Sequence, residues 1–361
     1  MASLTYYAAF VPGMQDTVAD IVRERLADVS IIKLLDGAAI FKTECTYDKL
    51  NFFCFNNIFA VIDILEQKGS AKHSAGPGFI ETHMKKILAL GEGRSGKKDL
   101  SIDARSLISE NNKKIQSFRL VCSMENALIP VNENIKQAME KFIARNSGLK
   151  LSRAKPDTEF WFLTRREGFS CFMKRLTNNR QGEKSLHPGE LSPQLAWLLC
   201  HIAGLKHGDI AIDPFCGYGS IPKAACKHFP LEKFYAFDID PQAIKIARSQ
   251  AALKGKEVCE IRQADFRAVF DFVSPGKADA IVTDPPWGMY KETDVPLQTL
   301  YDEMLEVFSQ LLKNKGRAVV LSAAEKELET AVEKNQAFSI SRKLSILVSG
   351  KKAKVFALEK N

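Results

Sequence analysis

The stretch DIAIDPFCGYGS occupies residues 209–220 and guides the interpretation of the second half of the chain. Its apolar start predicts a buried strand over 209–213, which runs directly into a turn that contains Gly217 and Gly219. Glycines let such a turn approach a ligand closely, and the free N–H groups of a following helix suit a carboxylate or phosphate. Pro222 stands where a dinucleotide-binding turn needs its last glycine, which disfavours a pyrophosphate cradle. A plain tight turn is the alternative.

Apolar strands alternate with helices downstream of this turn. The pattern predicts strands over 209–213, 233–238, 257–262, 278–283 and 316–322, and then over 337–347 and 353–359, which can pair as a hairpin across Ser349-Gly350. This alternation predicts an α/β fold with an open, mostly parallel sheet of seven strands covered on both faces. Ligands of such sheets bind beyond the carboxyl ends of the strands. The polar motifs of this chain follow those ends.

Acidic residues follow the second and third of these strands. Asp238 closes the second strand, where a carboxylate can accept hydrogen bonds from both hydroxyl groups of a ribose. Asp265 and Phe266 follow the third strand, where the acid could accept from an adenine amino group and the ring could cover its face. The alternative is that these acids only cap the helices that follow them.

The fourth strand ends in Thr283-Asp284-Pro285-Pro286-Trp287-Gly288. An exocyclic amine of a nucleobase is a poor nucleophile because its lone pair is delocalised into the ring, so its alkylation needs acceptors for the amine protons. The Asp284 carboxylate and the Pro285 carbonyl are suitable acceptors, held by two stiff prolines. Trp287 offers a flat face for a base taken out of its stack. The alternative is a rigid turn with a buried tryptophan.

The first half of the chain carries the excess of positive charge. Residues 1–67 hold 5 Lys and Arg against 9 Asp and Glu, residues 68–180 hold 22 against 11, and residues 181–361 hold 24 against 23. The basic block indicates a polyanion partner, the alternative being a solvated basic face. The patterns predict a small α+β region with strands over 4–11, 116–123, 159–166 and 169–175, two further strands within 31–43 around Asp36-Gly37, and helices over 16–26, 79–90 and 132–146.

The motifs at 213–219 and 284–288 resemble those of class I methyltransferases that modify base amino groups. The Asp-Pro-Phe-Cys-Gly form, with residues 186–193 upstream, is similar to RNA methyltransferases that contain a THUMP domain, and residues 117–176 resemble the THUMP core. Residues 6–16 resemble the ferredoxin-like start of that family. The resemblance implies S-adenosylmethionine as cofactor, bound by Asp213, Phe215, Gly217, Gly219, Asp238, Ile239, Asp265, Phe266 and Asp284. It implies a catalytic role for Asp284, Pro285, Pro286 and Trp287.

We therefore expect three parts: a ferredoxin-like segment over 1–67, a THUMP-like RNA-binding region over 68–180 and a class I methyltransferase domain over 181–361. The resemblance implies a tRNA guanine-N2 methyltransferase that binds the acceptor region of tRNA. The candidate phosphate contacts are Arg153, Lys155, Arg165, Arg166, Lys174 and Arg175. Two alternatives stay open: an rRNA guanine-N2 or DNA adenine-N6 methyltransferase, and a non-catalytic RNA-binding protein with a relic methyltransferase domain.

The composition limits the class of protein and the compartment that we expect. A hydrophobic fraction of 45% and a charged fraction of 26% are ordinary for globular domains. No stretch approaches the roughly 18 consecutive apolar residues of a membrane helix, and the N-terminus lacks the basic start of a signal peptide. The eight cysteines lack metal-binding spacings, which predicts reduced thiols and no metal site. We expect a monomer in the cytoplasm with no membrane partner.

Overall fold

The computed structural model describes residues 3–50, 52–67, 76–91, 115–125, 127–177, 186–251, 258–288 and 295–361. The chain divides into two compact units, each with its own sheet. The first unit comprises Met1–Ala9, Ala19–Asn51 and Asn56–Asn179, and the second comprises Phe10–Val18, Phe52–Phe55 and Arg180–Asn361.

The described residues up to 177 form nine strands and three α-helices. They are β1 (Leu4–Ala9), α1 (Gln15–Arg25), β2 (Ser30–Leu35), β3 (Ala38–Thr43), β4 (Asn57–Glu66), α2 (Pro77–Gly91), β5 (Ser117–Met124), β6 (Ala127–Leu128), α3 (Glu133–Ser147), β7 (Lys150–Leu151), β8 (Thr158–Arg165) and β9 (Phe169–Arg175). The predicted strands and helices of this region are present, with ends shifted by a few residues. β4 was not predicted.

One nine-stranded sheet forms the first unit, with the strand order β2-β3-β1-β4-β9-β8-β5-β6 and β7 paired to β5. The antiparallel pairing of β4 with β9 joins the N-terminal strands to the later ones. The sheet therefore continues across residue 67, where the sequence suggested a boundary between two parts. The three-part division itself stays a prediction.

Helices α2 and α3 cover one face of this sheet. Their apolar side chains pack on aromatic residues of β5, β8 and β9, and the cluster includes Ile80, Met84, Met139, Ile143, Phe118, Phe160, Phe162 and Phe172. The side chain of Asn132 caps the start of α3 by accepting from two backbone N–H groups, and Gly148 ends it at a φ of 70°. The sequence predicted both ends of this helix correctly to within one residue.

The second unit contains the sheet that the sequence predicts. Its elements are α4 (Pro193–Ile202), β10 (Ile210–Asp213), α5 (Ser220–His228), β11 (Lys233–Asp238), α6 (Pro241–Ala251), β12 (Cys259–Gln263), β13 (Ala278–Thr283), α7 (Leu297–Leu311), β14 (Leu312–Ser322), α8 (Glu325–Asn335), β15 (Phe338–Val348) and β16 (Lys351–Lys360). A short 3₁₀ helix spans Phe266–Asp271.

The seven strands of this sheet have the order β12-β11-β10-β13-β14-β16-β15. The pairs from β12 through β14 are parallel, whereas β16 is antiparallel to both β14 and β15. The prediction of a mostly parallel seven-stranded sheet with a C-terminal hairpin is confirmed. None of the helices in the described ranges is long and apolar enough to cross a membrane.

Candidate active site

The carboxyl ends of β10 and β13 lie side by side because these strands are parallel neighbours, with Ile212 paired to Ile281. β10 also pairs with β11 on its other edge, so the strand order reverses at β10. Open α/β sheets form their ligand crevice at such a reversal. The fold therefore brings two of the predicted motifs, at 213–219 and at 284–288, to one edge of the sheet.

Asp213 ends β10 and is fully buried. Its Oδ1 atom accepts hydrogen bonds from the Thr283 hydroxyl at 2.7 Å and from the Phe215 N–H at 3.2 Å. Its Oδ2 atom has no hydrogen-bond partner among the residues that the structure describes. Burial raises the pKa of this carboxyl to about 7, against the effect of its two donors. Because an unpaired buried carboxylate is costly, a cationic ligand would stabilise this one.

The glycine turn after β10 is held against the end of β11. The Gly217 N–H donates to Asp238 Oδ2 at 2.8 Å. Gly219 has a φ of 92°, and a Cβ atom added there would lie 2.9 Å from the Cβ of Ala247 on α6. Gly219 is also the N-cap residue of α5, without a side chain to cap it. The turn thus needs glycine at 219 and leaves the first N–H groups of α5 for a ligand.

Asp238 and Ile239 lie where the sequence predicts contacts with a nucleoside. Asp238 Oδ1 accepts from the Asp240 N–H at 2.9 Å, and its Oδ2 accepts from Gly217, but each carboxylate oxygen can accept a second hydrogen bond. The Ile239 side chain is 59% exposed, which is unusual for isoleucine. An acceptor beside an exposed apolar side chain suits a ribose and its attached base.

Asp265 and Phe266 contact neighbouring side chains of the second unit. Asp265 caps the 3₁₀ helix by accepting from the Arg267 N–H at 2.8 Å, and its two oxygens also bond the Arg267 guanidinium. Phe266 is 3% exposed, and its ring centroid is 5.0 Å from that of Phe215. Asp265 thus has the capping role named as the alternative, and its contact with adenine stays a prediction.

Residues 284–287 form a tight loop after β13. The Trp287 Nε1–H donates to Asp284 Oδ1 at 2.9 Å and to the Leu321 carbonyl at 3.3 Å. Burial raises the pKa of Asp284 well above its ordinary value, the hydrogen bond from Trp287 opposes this, and the nearby charge of Asp213 adds to it. Two carboxyl groups with raised pKa values therefore meet at adjacent strand ends.

Sequence reasoning missed Tyr301, which contacts this loop, and Ser322, which contacts Tyr301. The hydroxyl group of Tyr301 on α7 donates to the Pro286 carbonyl at 3.1 Å and lies 2.6 Å from Ser322 Oγ at the end of β14. Both residues are buried. Tyr301 occupies an apolar position of an amphipathic helix, so the sequence pattern indicates only that it packs in the core.

The upstream segment at 186–193 packs on the glycine turn. The rings of His187 and Tyr218 stack with centroids 4.5 Å apart. Glu190 accepts from the His187 N–H at 2.9 Å and from the Ser220 hydroxyl at 3.3 Å. This segment therefore packs directly beside the glycine turn.

The six basic residues predicted to bind phosphate differ in their surroundings. Arg165 and Lys174 are buried, at 9% and 1% exposure. Arg165 bonds Glu125 at 3.2 Å and Glu167 at 2.8 Å. Burial lowers the pKa of Lys174 to about 7, and its Nζ atom lacks a hydrogen-bond partner among the described residues. The protein covers both side chains in this structure, and their contact with a phosphate group stays a prediction.

The other four are partly or fully exposed. Arg175 bonds the buried carboxylate of Glu159 at 3.1 Å, and Arg119 bonds the same carboxylate. Arg153 is 61% exposed but forms an ion pair with Glu140 at 3.1 Å. Lys155 and Arg166 are exposed. A phosphate contact stays a prediction for these four and is best supported for Lys155 and Arg166.

Comparisons with known proteins agree with this geometry. Residues 180–346 match the family described as UPF0020, RMKL-like, methyltransferase domain. A tRNA (guanine(10)-N2)-dimethyltransferase of Methanothermobacter thermautotrophicus is 28% identical over 60% of this chain and 65% of its own length. A tRNA (guanine(6)-N2)-methyltransferase of Thermus thermophilus is 30% identical over 50% of this chain and 53% of its own. The chain thus spans less than two thirds of either relative.

The fold is shared by solved structures over the whole chain. The crystal structure of TrmN from Thermus thermophilus superposes with a TM-score of 0.74, covering 99% of this chain and 100% of that one, at 20% sequence identity. The second unit therefore has the class I methyltransferase fold, preceded by an N-terminal region that TrmN also has.

Proposed function

We propose that this protein is an S-adenosylmethionine-dependent RNA methyltransferase that methylates the N2 amino group of a guanine in tRNA. The observation that carries the proposal is the meeting of two motifs at one sheet edge. The Asp284–Trp287 loop, which can accept the protons of an aromatic amine, lies beside the buried carboxylate of Asp213 and the glycine turn. The tRNA relatives named above support the substrate class.

The residues of the pocket fit S-adenosylmethionine. This cofactor carries an ammonium group and a sulfonium, and the pocket offers the unpaired Oδ2 atom of Asp213 together with Asp284. Asp238 would accept from the ribose hydroxyls, and Ile239 would cover the base. When bound, the cofactor supplies an electrophilic methyl group.

The loop residues would prepare the target amine. Asp284 Oδ1 is engaged by Trp287, so we assign its Oδ2 atom, with the Pro285 carbonyl, as acceptor of the two amine protons. These hydrogen bonds favour a pyramidal nitrogen whose lone pair points at the methyl carbon. Asp284 would take one of the amine protons while the nitrogen accepts the methyl group that the bound cofactor would supply. Trp287 would support the base by stacking.

The first unit is proposed to bind the RNA as a THUMP-like region that contacts the acceptor region of tRNA. Its exposed cations Lys155 and Arg166 are the best placed for phosphate groups. An rRNA guanine or a DNA adenine would present a similar amine to the same loop, so these substrates are outcomes of the test.

The test compares acceptors for a labelled methyl group. Purified protein and labelled S-adenosylmethionine are incubated with tRNA, rRNA fragments or duplex DNA, and calorimetry measures cofactor binding separately. We expect binding of the cofactor and label in tRNA. Label in rRNA or DNA alone would overturn the substrate, and absence of cofactor binding would indicate a relic domain.

Cofactor affinity is expected to rise with pH. The pKa of Asp213 is raised to about 7 by burial, and a cationic ligand stabilises the ionised form, so binding releases a proton below that pH. Linkage for one such proton gives about a tenfold tighter dissociation constant at about pH 8 than at about pH 6, with little further change above. Calorimetry in buffers of different ionisation enthalpy measures both quantities. Asp213→Asn should flatten the pH dependence, and an equally steep one in that variant would contradict the assignment.

A further inference from the structure

The hydroxyl group of Tyr301 has no role in packing. Its ring is fully buried in the core of the second unit with Met304, Leu305 and Phe308. A phenylalanine would fill the same space, and burying a hydroxyl group is unfavourable unless it is hydrogen-bonded. The hydroxyl is bonded, with one partner, the Pro286 carbonyl, in the reaction loop and the other, Ser322, at the end of β14.

The direction of these hydrogen bonds follows from the bond between the Tyr301 hydroxyl and the Pro286 carbonyl. A carbonyl oxygen only accepts, so the single phenolic proton of Tyr301 is donated to Pro286 O at 3.1 Å. The 2.6 Å contact with Ser322 then requires the serine hydroxyl to donate to the phenolic oxygen. Ser322 Oγ itself accepts from the Ala324 N–H at 2.9 Å. The donors run in one direction, from Ala324 through Ser322 and Tyr301 to the loop carbonyl, and such chains strengthen each member.

This chain fixes the peptide plane that carries Trp287. The Pro286 carbonyl and the Trp287 nitrogen belong to one planar peptide group, so anchoring the oxygen limits rotation of the whole unit. Trp287 in turn donates its indole N–H to Asp284 Oδ1 at 2.9 Å. Within the described residues, that hydrogen bond is the contact that orients the Asp284 carboxylate.

We propose that Tyr301, supported by the Ser322 hydroxyl, is a positioning residue that holds the Pro286–Trp287 peptide and, through the Trp287 indole N–H, sets the direction of the Asp284 carboxylate. Trp287 then has a second task besides stacking, which is to occupy one carboxylate oxygen and leave the other for the amine. The effect on rate rests on the proposed function, whereas the effect on loop geometry does not.

The kinetic test uses Tyr301→Phe with a matched control. Tyr6 is 1% exposed and also donates to a backbone carbonyl, that of Cys45 at 2.9 Å, in the first unit. Tyr6→Phe therefore loses a comparable hydrogen bond in the unit that does not contain the reaction loop. We expect Tyr301→Phe to lower kcat by about ten- to a hundredfold, as small misplacements of reacting groups do, with an unchanged dissociation constant for S-adenosylmethionine. Tyr6→Phe should keep the wild-type kcat.

Two further readouts separate positioning from a general loss of structure. When the Trp287 indole N–H is less well positioned, it stabilises the ionised form of Asp284 less. The acidic limb of the kcat–pH profile should therefore move to higher pH in Tyr301→Phe. It should stay in place in Tyr6→Phe. Ser322→Ala should shift kcat in the same direction by a smaller factor, because Tyr301 keeps its bond to Pro286.

An NMR measurement decides the geometry without any RNA substrate. The chain has three tryptophans, so its indole N–H spectrum contains three resonances, and Trp287→Phe assigns the one that matters. In Tyr301→Phe we expect that resonance to shift and to exchange faster with solvent, while Trp161 and Trp197 stay unchanged. An unmoved Trp287 resonance, or a kcat equal to that of Tyr6→Phe, would overturn the positioning role. If the wild type methylates no RNA, the proposed function fails, and the indole spectrum still decides this inference.

Discussion

Replacing Asp284 by alanine is expected to lower the rate constant of methyl transfer by about a hundred- to a thousandfold, the usual effect of removing one preorganised hydrogen-bonding group from a reaction site. Asp284 follows β13 directly, and its orientation is fixed by the indole N–H of Trp287. The variant lacks the acceptor for the amine proton, so the lone pair of the base nitrogen stays delocalised. Single-turnover transfer of labelled methyl groups to tRNA measures the effect.

Two comparisons make this result specific. Asp284→Asn keeps one carbonyl oxygen, which would accept from the Trp287 indole N–H, and places an NH₂ group toward the amine, so we expect a rate as low as that of Asp284→Ala. Calorimetry should show that both variants still bind S-adenosylmethionine, because Asp213 and the glycine turn are intact. Transfer at the wild-type rate by Asp284→Ala would contradict the assigned mechanism.

Replacing Gly219 by alanine should disrupt the cofactor turn. The residue has a φ of 92°, and a Cβ atom would lie 2.9 Å from Ala247 Cβ and 3.0 Å from Ala247 Cα. The left-handed backbone costs about 1–2 kcal/mol for a residue with a Cβ atom, and overpacking against a helix adds about 1–3 kcal/mol. Because α6 cannot yield easily, the turn must move, and we expect cofactor affinity to fall by about tenfold or more, which is about 1.4 kcal/mol. Urea unfolding and calorimetry measure the two effects.

Gly208→Ala is the matched control. Gly208 has a φ of 80°, and its Cβ atom would have no atom within 4 Å. Gly208→Ala should therefore lower the free energy of unfolding only by the backbone cost of about 1–2 kcal/mol, and the cofactor affinity should stay unchanged. Equal losses of stability in the two variants would show that contact with Ala247 is unimportant.

The fold of the second unit could be predicted because turn residues mark the ends of its strands in the sequence. Apolar runs bounded by turn residues located all seven strands, and Ser349-Gly350 marked the hairpin. β4 of the first unit was not predicted. Its sequence, NIFAVIDILE, is apolar almost throughout, and the period of such a run does not distinguish a strand from a buried helix. Its partner β9 lies more than a hundred residues later, and sequence periodicity carries no information on such pairing.

Site residues that follow directly on a strand could be predicted from the sequence. Site residues whose role depends on tertiary contacts could not. Asp213 and Asp284 follow adjacent strands, so the parallel sheet alone brings them together. The burial of Arg165 and Lys174 comes from strand pairing, which a count of basic residues does not reveal. Tyr301 was missed for a similar reason, since its hydroxyl has meaning only beside the Pro286 carbonyl.

The most direct measurement identifies the product. Unmodified tRNA is incubated with the protein and isotopically labelled S-adenosylmethionine, digested to nucleosides, and examined by mass spectrometry against nucleoside standards. Labelled N2-methylguanosine or its N2-dimethylated form, produced by the wild type and formed about a hundred- to a thousandfold more slowly with Asp284→Ala, is the result we predict. A wild type that binds the cofactor but places no label on the exocyclic nitrogen of any base would contradict the assignment of the Asp284–Trp287 loop as an amine-methylating site.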